Sequence, residues 1–108
     1  MPADEVYSQL IAISQSAFAE GDYDTACHAL ESALARAHYL QDVRCLDEIN
    51  ALAREQEAQL ATLPLPERIP GTTDQRRHAL RLILASIITE VPTMSNLIQH
   101  ERDLAAQP

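Results

Sequence analysis

The sequence predicts an all-α fold, a small helical bundle of about five helices in a single domain, residues 1–108. Apolar residues recur at spacings of three and four, which is the period of one helix face. Only two glycines occur, too few for a protein made of tight hairpins. Aromatic residues make up 4% of the chain and Trp is absent. The core must therefore be built from Leu, Ile and Ala, which favours closely packed helices.

The first helix is expected to begin after Asp4, a good N-cap residue, and to end at Gly21. Glycine adopts the left-handed conformation that ends a helix at little steric cost. The spacing predicts that the buried face of this helix consists of Val6, Leu10, Ile13, Ala17 and Phe18.

The second helix is predicted from about Tyr23 to Tyr39, capped by Asp22 or Asp24. Small residues dominate its buried stripe, so a neighbouring helix can approach closely. The stripe consists of Ala26, Leu30, Ala33, Leu34 and Ala37.

The third helix is predicted from near Asp42 to Leu60 and completes an N-terminal unit, residues 1–63. Its polar stretch "REQEAQ", residues 54–59, is expected to project past the core or to meet another chain. The apolar residues of its first half form the predicted core face: Val43, Leu46, Ile49, Leu52 and Ala53.

A proline-rich connector, residues 64–71, separates this unit from a C-terminal helical pair, residues 72–108. Thr72 and Gln75 have the spacing of a capping box. The fourth helix is expected to end at Pro92 and to be followed by a short fifth helix. The apolar face of the fourth helix consists of Leu80, Ile83, Leu84, Ile87, Ile88 and Val91, widened by Leu82 and Ala85.

The turn Gly21-Asp22-Tyr23, followed by an alanine-rich helix, resembles the second half of a tetratricopeptide repeat. The resemblance covers about residues 7–40, and large apolar residues of the repeat match Leu10, Ile13 and Phe18. The sequence departs from the repeat at Ser14, where a glycine is usual, and at His38, where a proline is usual. A second Gly-Asp-Tyr turn is missing. The resemblance therefore implies a single TPR-like helical hairpin.

The resemblance also implies a function, because family members usually bind peptides or other proteins along a concave groove. Some grip a C-terminal carboxylate through Lys and Asn on the first helix of each repeat. This chain has Ile11 and Gln15 there and contains no Lys at all. That form of peptide capture is therefore not expected.

The net charge of −8 lies in the N-terminal part of the chain. Residues 1–63 contain eleven acidic residues and three arginines, whereas residues 64–108 contain five of each. An acidic surface repels phosphate backbones, so we expect no nucleic-acid partner. No signal peptide and no apolar run of membrane-spanning length are evident. We expect a soluble, cytoplasmic protein without a membrane partner.

No pattern in the sequence indicates catalysis, a cofactor or a metal site. Cys27 and His28 are adjacent, so their side chains lie about 100° apart on a helix and cannot easily share an ion. His78 and His100 have no ligating residue at the spacing of a helical metal motif. We expect free cysteines and no catalytic residue, no metal and no cofactor.

Arg76, Arg77 and Arg81 cluster at the start of the fourth helix, where positive charge opposes the helix dipole. One interpretation is pairing with the acidic N-terminal helices, within the chain or between subunits. Another is a docking patch for an acidic segment of a partner protein. Nucleic acid is the weakest interpretation, because no aromatic residues accompany the charge.

The apolar face of the fourth helix, Leu80, Ile83, Leu84, Ile87 and Ile88, has two interpretations as well. It either packs on the N-terminal unit or forms a symmetric homodimer interface. A dimer that only places two bound chains together would become a monomer when Ile83 or Ile87 is replaced by a charged residue.

The sequence thus favours a non-enzymatic protein–protein interaction module, a small adaptor or regulatory subunit that docks a partner through helix faces. The alternative is a helical-bundle enzyme or a ligand or metal sensor. Its site would be assembled across a dimer from Cys27, His28, His78 or His100.

Overall fold

The computed structural model describes residues 4–63 and 74–107, and these residues form an all-helical bundle. The predicted all-α class is confirmed. The proline-rich connector, residues 64–71, and Thr72 of the proposed capping box lie outside the described residues. Four helices occur in the described part of the chain: α1 (Glu5–Ala19), α2 (Tyr23–Leu40), α3 (Val43–Thr62) and α4 (Asp74–Ala106).

Aspartate side chains cap the first three helices. Asp4 accepts a hydrogen bond from the Tyr7 N–H at 2.8 Å, and Asp22 accepts one from the Thr25 N–H at 3.3 Å. Asp42 does the same at the start of α3. Each carboxylate satisfies amide groups that have no partner within the helix, so the predicted caps at Asp4 and Asp22 are confirmed.

The two turns that join α1 to α2 and α2 to α3 have the same geometry. Gly21 has φ +84° in the first turn, and Gln41 has φ +52° in the second. The Asp22 N–H donates to the carbonyl of Ala17 at 2.9 Å, and the Asp42 N–H donates to the carbonyl five residues back at 3.2 Å. Both turns are therefore Schellman motifs with a left-handed residue after the helix.

Helix α2 lies at the centre of the bundle and packs against α1, α3 and α4, while α3 also packs along α4. Its predicted stripe is confirmed, because Ala26, Leu30, Ala33, Leu34 and Ala37 are all buried. The predicted face of α3 is confirmed for its four buried residues, Leu46, Ile49, Leu52 and Ala53, while Val43 is half-buried.

The predicted buried face of α1 is wrong at two of its five positions, Val6 and Ile13. Ala17 is buried as predicted, and Leu10 and Phe18 are half-buried against the core. Val6 and Ile13 are 49% and 47% exposed, and the buried residues of α1 are Tyr7, Ile11, Ser14 and Ala17. Apolar spacing alone placed Val6 and Ile13 on this face. The structure instead turns Tyr7 and Ser14 inward, and their hydroxyl groups have hydrogen-bond partners on other helices.

Helix α4 continues through Pro92, so the prediction of a fourth helix that ends there and a separate fifth helix is wrong. Proline removes one helical hydrogen bond and clashes with the preceding turn, at a cost of about 3 kcal/mol. Packing on both sides of it offsets that cost. Val91 and Ile98 are buried, and the Arg102 guanidinium donates to the Gln41 carbonyl at 2.7 Å.

By length and composition alone, α4 is also apolar enough to cross a membrane, with a mean hydropathy of 1.2 in its most apolar window. One face of it packs against α2 and α3. The other face exposes Leu82, Leu97 and Leu104 by about half each. Ala85 is exposed as well, so Leu82 and Ala85 do not widen the buried face as predicted. The expected absence of a membrane partner stays a prediction.

Candidate functional site

The arginine cluster at the start of α4 makes contacts within the chain. Arg76 pairs with Asp24 of α2, and Arg77 donates to the carbonyl of Leu63, the C-cap residue of α3. Arg81 donates to Glu57 of α3 at 2.8 Å. The geometry therefore favours the first of the three interpretations, in which the cluster pairs with the acidic helices and holds α4 onto α2 and α3. The docking of an acidic partner segment at this cluster stays a prediction.

The apolar face of α4 packs on the other helices of the same chain. Leu80, Leu84 and Ile87 are 6%, 0% and 2% exposed, and Ile83 and Ile88 are half-buried against the same core. A homodimer through this face would require the core to open. A homodimer through another surface stays a prediction.

The histidines and cysteines singled out in the sequence do not form a common site within the chain. His78 and His100 lie 22 positions apart on one helix, which is about 33 Å at the helical rise. Cys27 is buried, and His28 pairs with Glu31 at 2.9 Å on the surface. No group of three or more His, Cys, Asp or Glu that could hold a metal ion occurs in residues 4–63 and 74–107.

A groove of about 260 Å³ lies between the second half of α1 and the middle of α3. Its position follows from the hairpin, because the turn at Gly21 sends α2 back along one side of α1 and leaves another side to α3. The lining combines side-chain amides, one carboxylate and apolar groups: Gln15, Phe18, Ala19, Leu52, Glu55, Gln56 and Gln59.

A chain of buried hydrogen bonds connects three helices beside this groove. The Gln56 Nε2 of α3 donates to the Ser14 Oγ of α1 at 3.0 Å, and Ser14 Oγ donates to the Ala26 carbonyl of α2 at 2.8 Å. Ser14 and Gln56 are 0% and 2% exposed. These hydrogen bonds fix the relative positions of α1, α2 and α3, and with them the width of the groove.

The other end of the Gln56 amide has no partner. Its Oε1 is buried and accepts no hydrogen bond from the described residues. A buried acceptor left in this state costs about 1–3 kcal/mol. Most buried polar groups in proteins are paired, so this unpaired oxygen beside the groove is unusual.

The opposite end of α1 is held by a tyrosine. The Tyr7 hydroxyl donates to Glu48 at 2.5 Å and lies 3.2 Å from the Cys45 carbonyl. Burial and the neighbouring Glu48 carboxylate raise the pKa of Tyr7 well above its ordinary value. The phenol therefore stays protonated and serves as a structural donor between α1 and α3.

Both cysteines are free thiols within the described chain, Cys27 buried and Cys45 half-buried. Burial raises the pKa of Cys27 to about 11, and burial together with the nearby Asp42 raises the pKa of Cys45 to about 11. Thiols with such a pKa are poor nucleophiles at neutral pH. Neither cysteine has the electrostatic surroundings of a catalytic residue.

Sequence reasoning missed the groove because it assigned residues 54–59 to a polar stretch outside the core. That prediction is wrong for Gln56, which is buried between α1 and α3, and for Glu57, which pairs with Arg81 of α4. The other four residues of the stretch are exposed, and a contact with another chain stays a prediction. The signal was present in the spacing, since Gln56 follows Leu52 and Ala53 at the helical interval that predicts the same face. Its polarity hid it.

Comparison of the chain with protein-family models, curated proteins and solved structures gives no match. The chemical possibilities of the site therefore depend on its own residues. The groove offers amide donors and acceptors, an apolar floor and one carboxylate. This combination suits noncovalent binding of a polar chain, because side-chain amides match the donors and acceptors of a peptide backbone.

Proposed function

We propose that this protein is a non-enzymatic protein–protein interaction module, a small adaptor or regulatory subunit, that binds a segment of its partner in the groove between α1 and α3. The observation that carries the proposal is the buried, unpaired Gln56 Oε1 beside that groove. At about 260 Å³ the groove is smaller than the ~300–1,000 Å³ usual for small-molecule sites. A segment lying along an open groove fits these dimensions better than an enclosed ligand.

The TPR-like interpretation of the hairpin supports the same proposal. The small residue Ser14 lies against Ala26, as the close helix approach of such a hairpin requires. The α1–α3 groove would then correspond to the concave surface along which members of that family bind peptides. Ile11, at one of the positions that grip a carboxylate in some members, is buried, and Gln15 lines the groove.

The test is affinity purification of the partner with and without a blocked groove. Ala19 is exposed and lines the groove, so Ala19→Arg fills it without disturbing the core. Ala35→Arg is the matched control, because Ala35 is exposed on the outer side of α2. We expect quantitative mass spectrometry to show proteins that are retained by the wild-type chain and by Ala35→Arg but lost with Ala19→Arg.

Retention of the same proteins by both variants would contradict the groove as the docking surface. A triple change of Arg76, Arg77 and Arg81 to Glu tests separately whether the arginine cluster at the start of α4 docks a partner. If this triple variant loses the partner while its far-UV circular dichroism and unfolding curve are unchanged, the arginine cluster is the docking surface.

A further inference from the structure

The hydrogen-bond chain through Ser14 determines which atom of the Gln56 amide is left unpaired. A serine hydroxyl has a single hydrogen, and Ser14 uses it on the Ala26 carbonyl. Ser14 Oγ can therefore only accept from Gln56, which must present its NH₂ group. The free end of the amide is then the oxygen, and any group that pairs with it must be a donor.

The lining of the groove indicates what kind of molecule carries this donor. Gln15 and Gln59 add further side-chain amides, while Phe18 and Leu52 form the apolar part. The Phe18 ring is held in place by an edge-to-face contact with Tyr23, with 4.9 Å between ring centroids. Amides beside an apolar floor suit an extended peptide, whose backbone alternates N–H and C=O groups while its side chains contact the floor.

The charge of the site selects among peptides. Among the described residues that line the groove, Glu55 alone is charged, and residues 1–63 contain eleven acidic residues against three arginines. An acidic segment would be repelled by this surface, whereas a basic segment would be attracted to it before contact. The arginines that would favour an acidic segment contact α2 and α3 at the start of α4.

We propose that the groove binds an extended, basic peptide segment of a partner protein. A backbone N–H of that segment donates to Gln56 Oε1, and a Lys or Arg side chain of it pairs with Glu55. This inference depends on the proposed function, because it names the partner chemistry of the same groove.

The experiment uses three pools of random dodecapeptides, fixed at strongly positive, zero and strongly negative net charge, and the full chain as the target. We expect the positive pool to give the bound sequences and the negative pool to give none. Glu55→Gln should weaken binding of the selected peptide and make it less sensitive to salt. Selection of acidic sequences would overturn the inference and leave the proposed function standing.

The hydrogen bond is tested by N-methylation of the selected peptide at each position in turn. Removal of the one N–H that reaches Gln56 should weaken binding by about 3–10-fold beyond the effect at neighbouring positions. In Gln56→Met, which keeps the size of the side chain but removes the acceptor, that extra loss should disappear. Gln99→Met, an exposed change on α4, is the matched control and should keep it.

The remaining outcomes are distinguishable as well. An N-methylation profile that is the same for the wild-type chain and for Gln56→Met would overturn the assignment of Gln56. If Gln56→Met is unstable, a wild-type profile in which no single position stands out would overturn the assignment instead. Failure of every pool, together with a partner capture unaffected by Ala19→Arg, would overturn the proposed function itself. If a second copy of the chain fills the groove, the molecular mass in solution will rise with protein concentration, and Ala19→Arg will abolish this rise. That result would overturn the inference that the groove binds a peptide of a partner protein.

Discussion

At the residue scale, three buried polar side chains form hydrogen bonds between helices: those of Tyr7, Ser14 and Gln56. Tyr7 and Gln56 connect α1 with α3, and Ser14 connects α1 with α2. An apolar core places few constraints on helix rotation, whereas a buried hydroxyl or amide is satisfied in only one arrangement. These residues therefore determine how α1 sits on the other helices.

Ser14→Ala should lower the free energy of unfolding by about 1–3 kcal/mol, because the buried Gln56 NH₂ loses its acceptor. Ser16→Ala, on an exposed position of the same helix, is the control and should change it by less than about 0.5 kcal/mol. Urea unfolding followed by circular dichroism measures both. The double variant Ser14→Ala with Gln56→Met should cost less than the sum of the single changes. Additive costs would mean that the two side chains do not interact.

Asp4 should contribute to stability in a pH-dependent way. Its hydrogen bonds from Arg36 and from the Tyr7 N–H lower the pKa of the carboxyl below 3.8. The folded state therefore binds this proton less readily than the unfolded state. The stabilisation is present above about pH 4 and is lost as the pH falls through the lower pKa of the folded state.

Asp4→Asn keeps a capping residue and removes the ion pair with Arg36, in which the two side chains approach to 2.8 Å. We expect the variant to be less stable than the wild-type chain near about pH 6, and we expect the difference to shrink as the pH falls below about 4. Asp47→Asn, on an exposed position of α3, serves as the control. A difference between wild type and Asp4→Asn that is constant with pH would contradict the ion pair.

At the element scale, the ends of the helices are determined by local chemistry. Aspartate caps begin α1, α2 and α3, and left-handed residues follow α1 and α2. The two Schellman turns differ in one respect. The first has a glycine at the left-handed position, and the second has Gln41, whose side chain must tolerate a backbone conformation that costs about 1–2 kcal/mol in non-glycine residues.

The two turns should therefore respond in opposite directions to matched substitutions. Gly21→Ala should lower the free energy of unfolding by about 1–2 kcal/mol, and the loss is backbone strain alone, because an added Cβ meets no atom within 4 Å. Gln41→Gly should raise it by up to about 1 kcal/mol. Thermal and urea unfolding of the two variants measure these changes. Equal signs would contradict the shared geometry of the turns.

The difference between local contacts and contacts distant in sequence explains how much of the molecule could be predicted from its sequence. The caps at Asp4 and Asp22 and the turn at Gly21 act within a few residues, so the bounds of α1 to α3 were predictable. The face of α1 and the continuation of α4 through Pro92 depend on neighbours distant in sequence. The groove depends on Gln56, whose burial requires Ser14 on another helix. Local patterns do not contain that information.

The whole molecule is elongated, with extents of 63 × 26 × 16 Å and a radius of gyration of 15.8 Å. A compact domain of this length would have a radius of gyration of about 13 Å. The 33 residues of α4 account for the difference, since they extend for about 50 Å along the bundle. One side of this helix forms core, and the other exposes Leu82, Leu97 and Leu104.

Charged substitutions on the two sides of α4 should have different consequences. Ile87→Asp should lower the free energy of unfolding by at least about 3 kcal/mol, because Ile87 is 2% exposed in the core. Leu82→Asp, at 56% exposure on the same helix, should change it by less than about 0.5 kcal/mol. Circular dichroism and light scattering after size exclusion report folding and mass together. A folded monomer from Ile87→Asp, alongside a wild-type dimer, would show that this face is a subunit interface.

The alanine stripe of α2 has a consequence for which amino-acid changes the protein tolerates. Ala26, Ala33 and Ala37 are 0% exposed and lie where α2 meets its neighbours. At such positions volume matters more than polarity, because each extra methylene group must push two helices apart, at about 1–3 kcal/mol. In a saturation mutagenesis of the chain, serine and glycine should survive at these three positions, while leucine and phenylalanine should be eliminated.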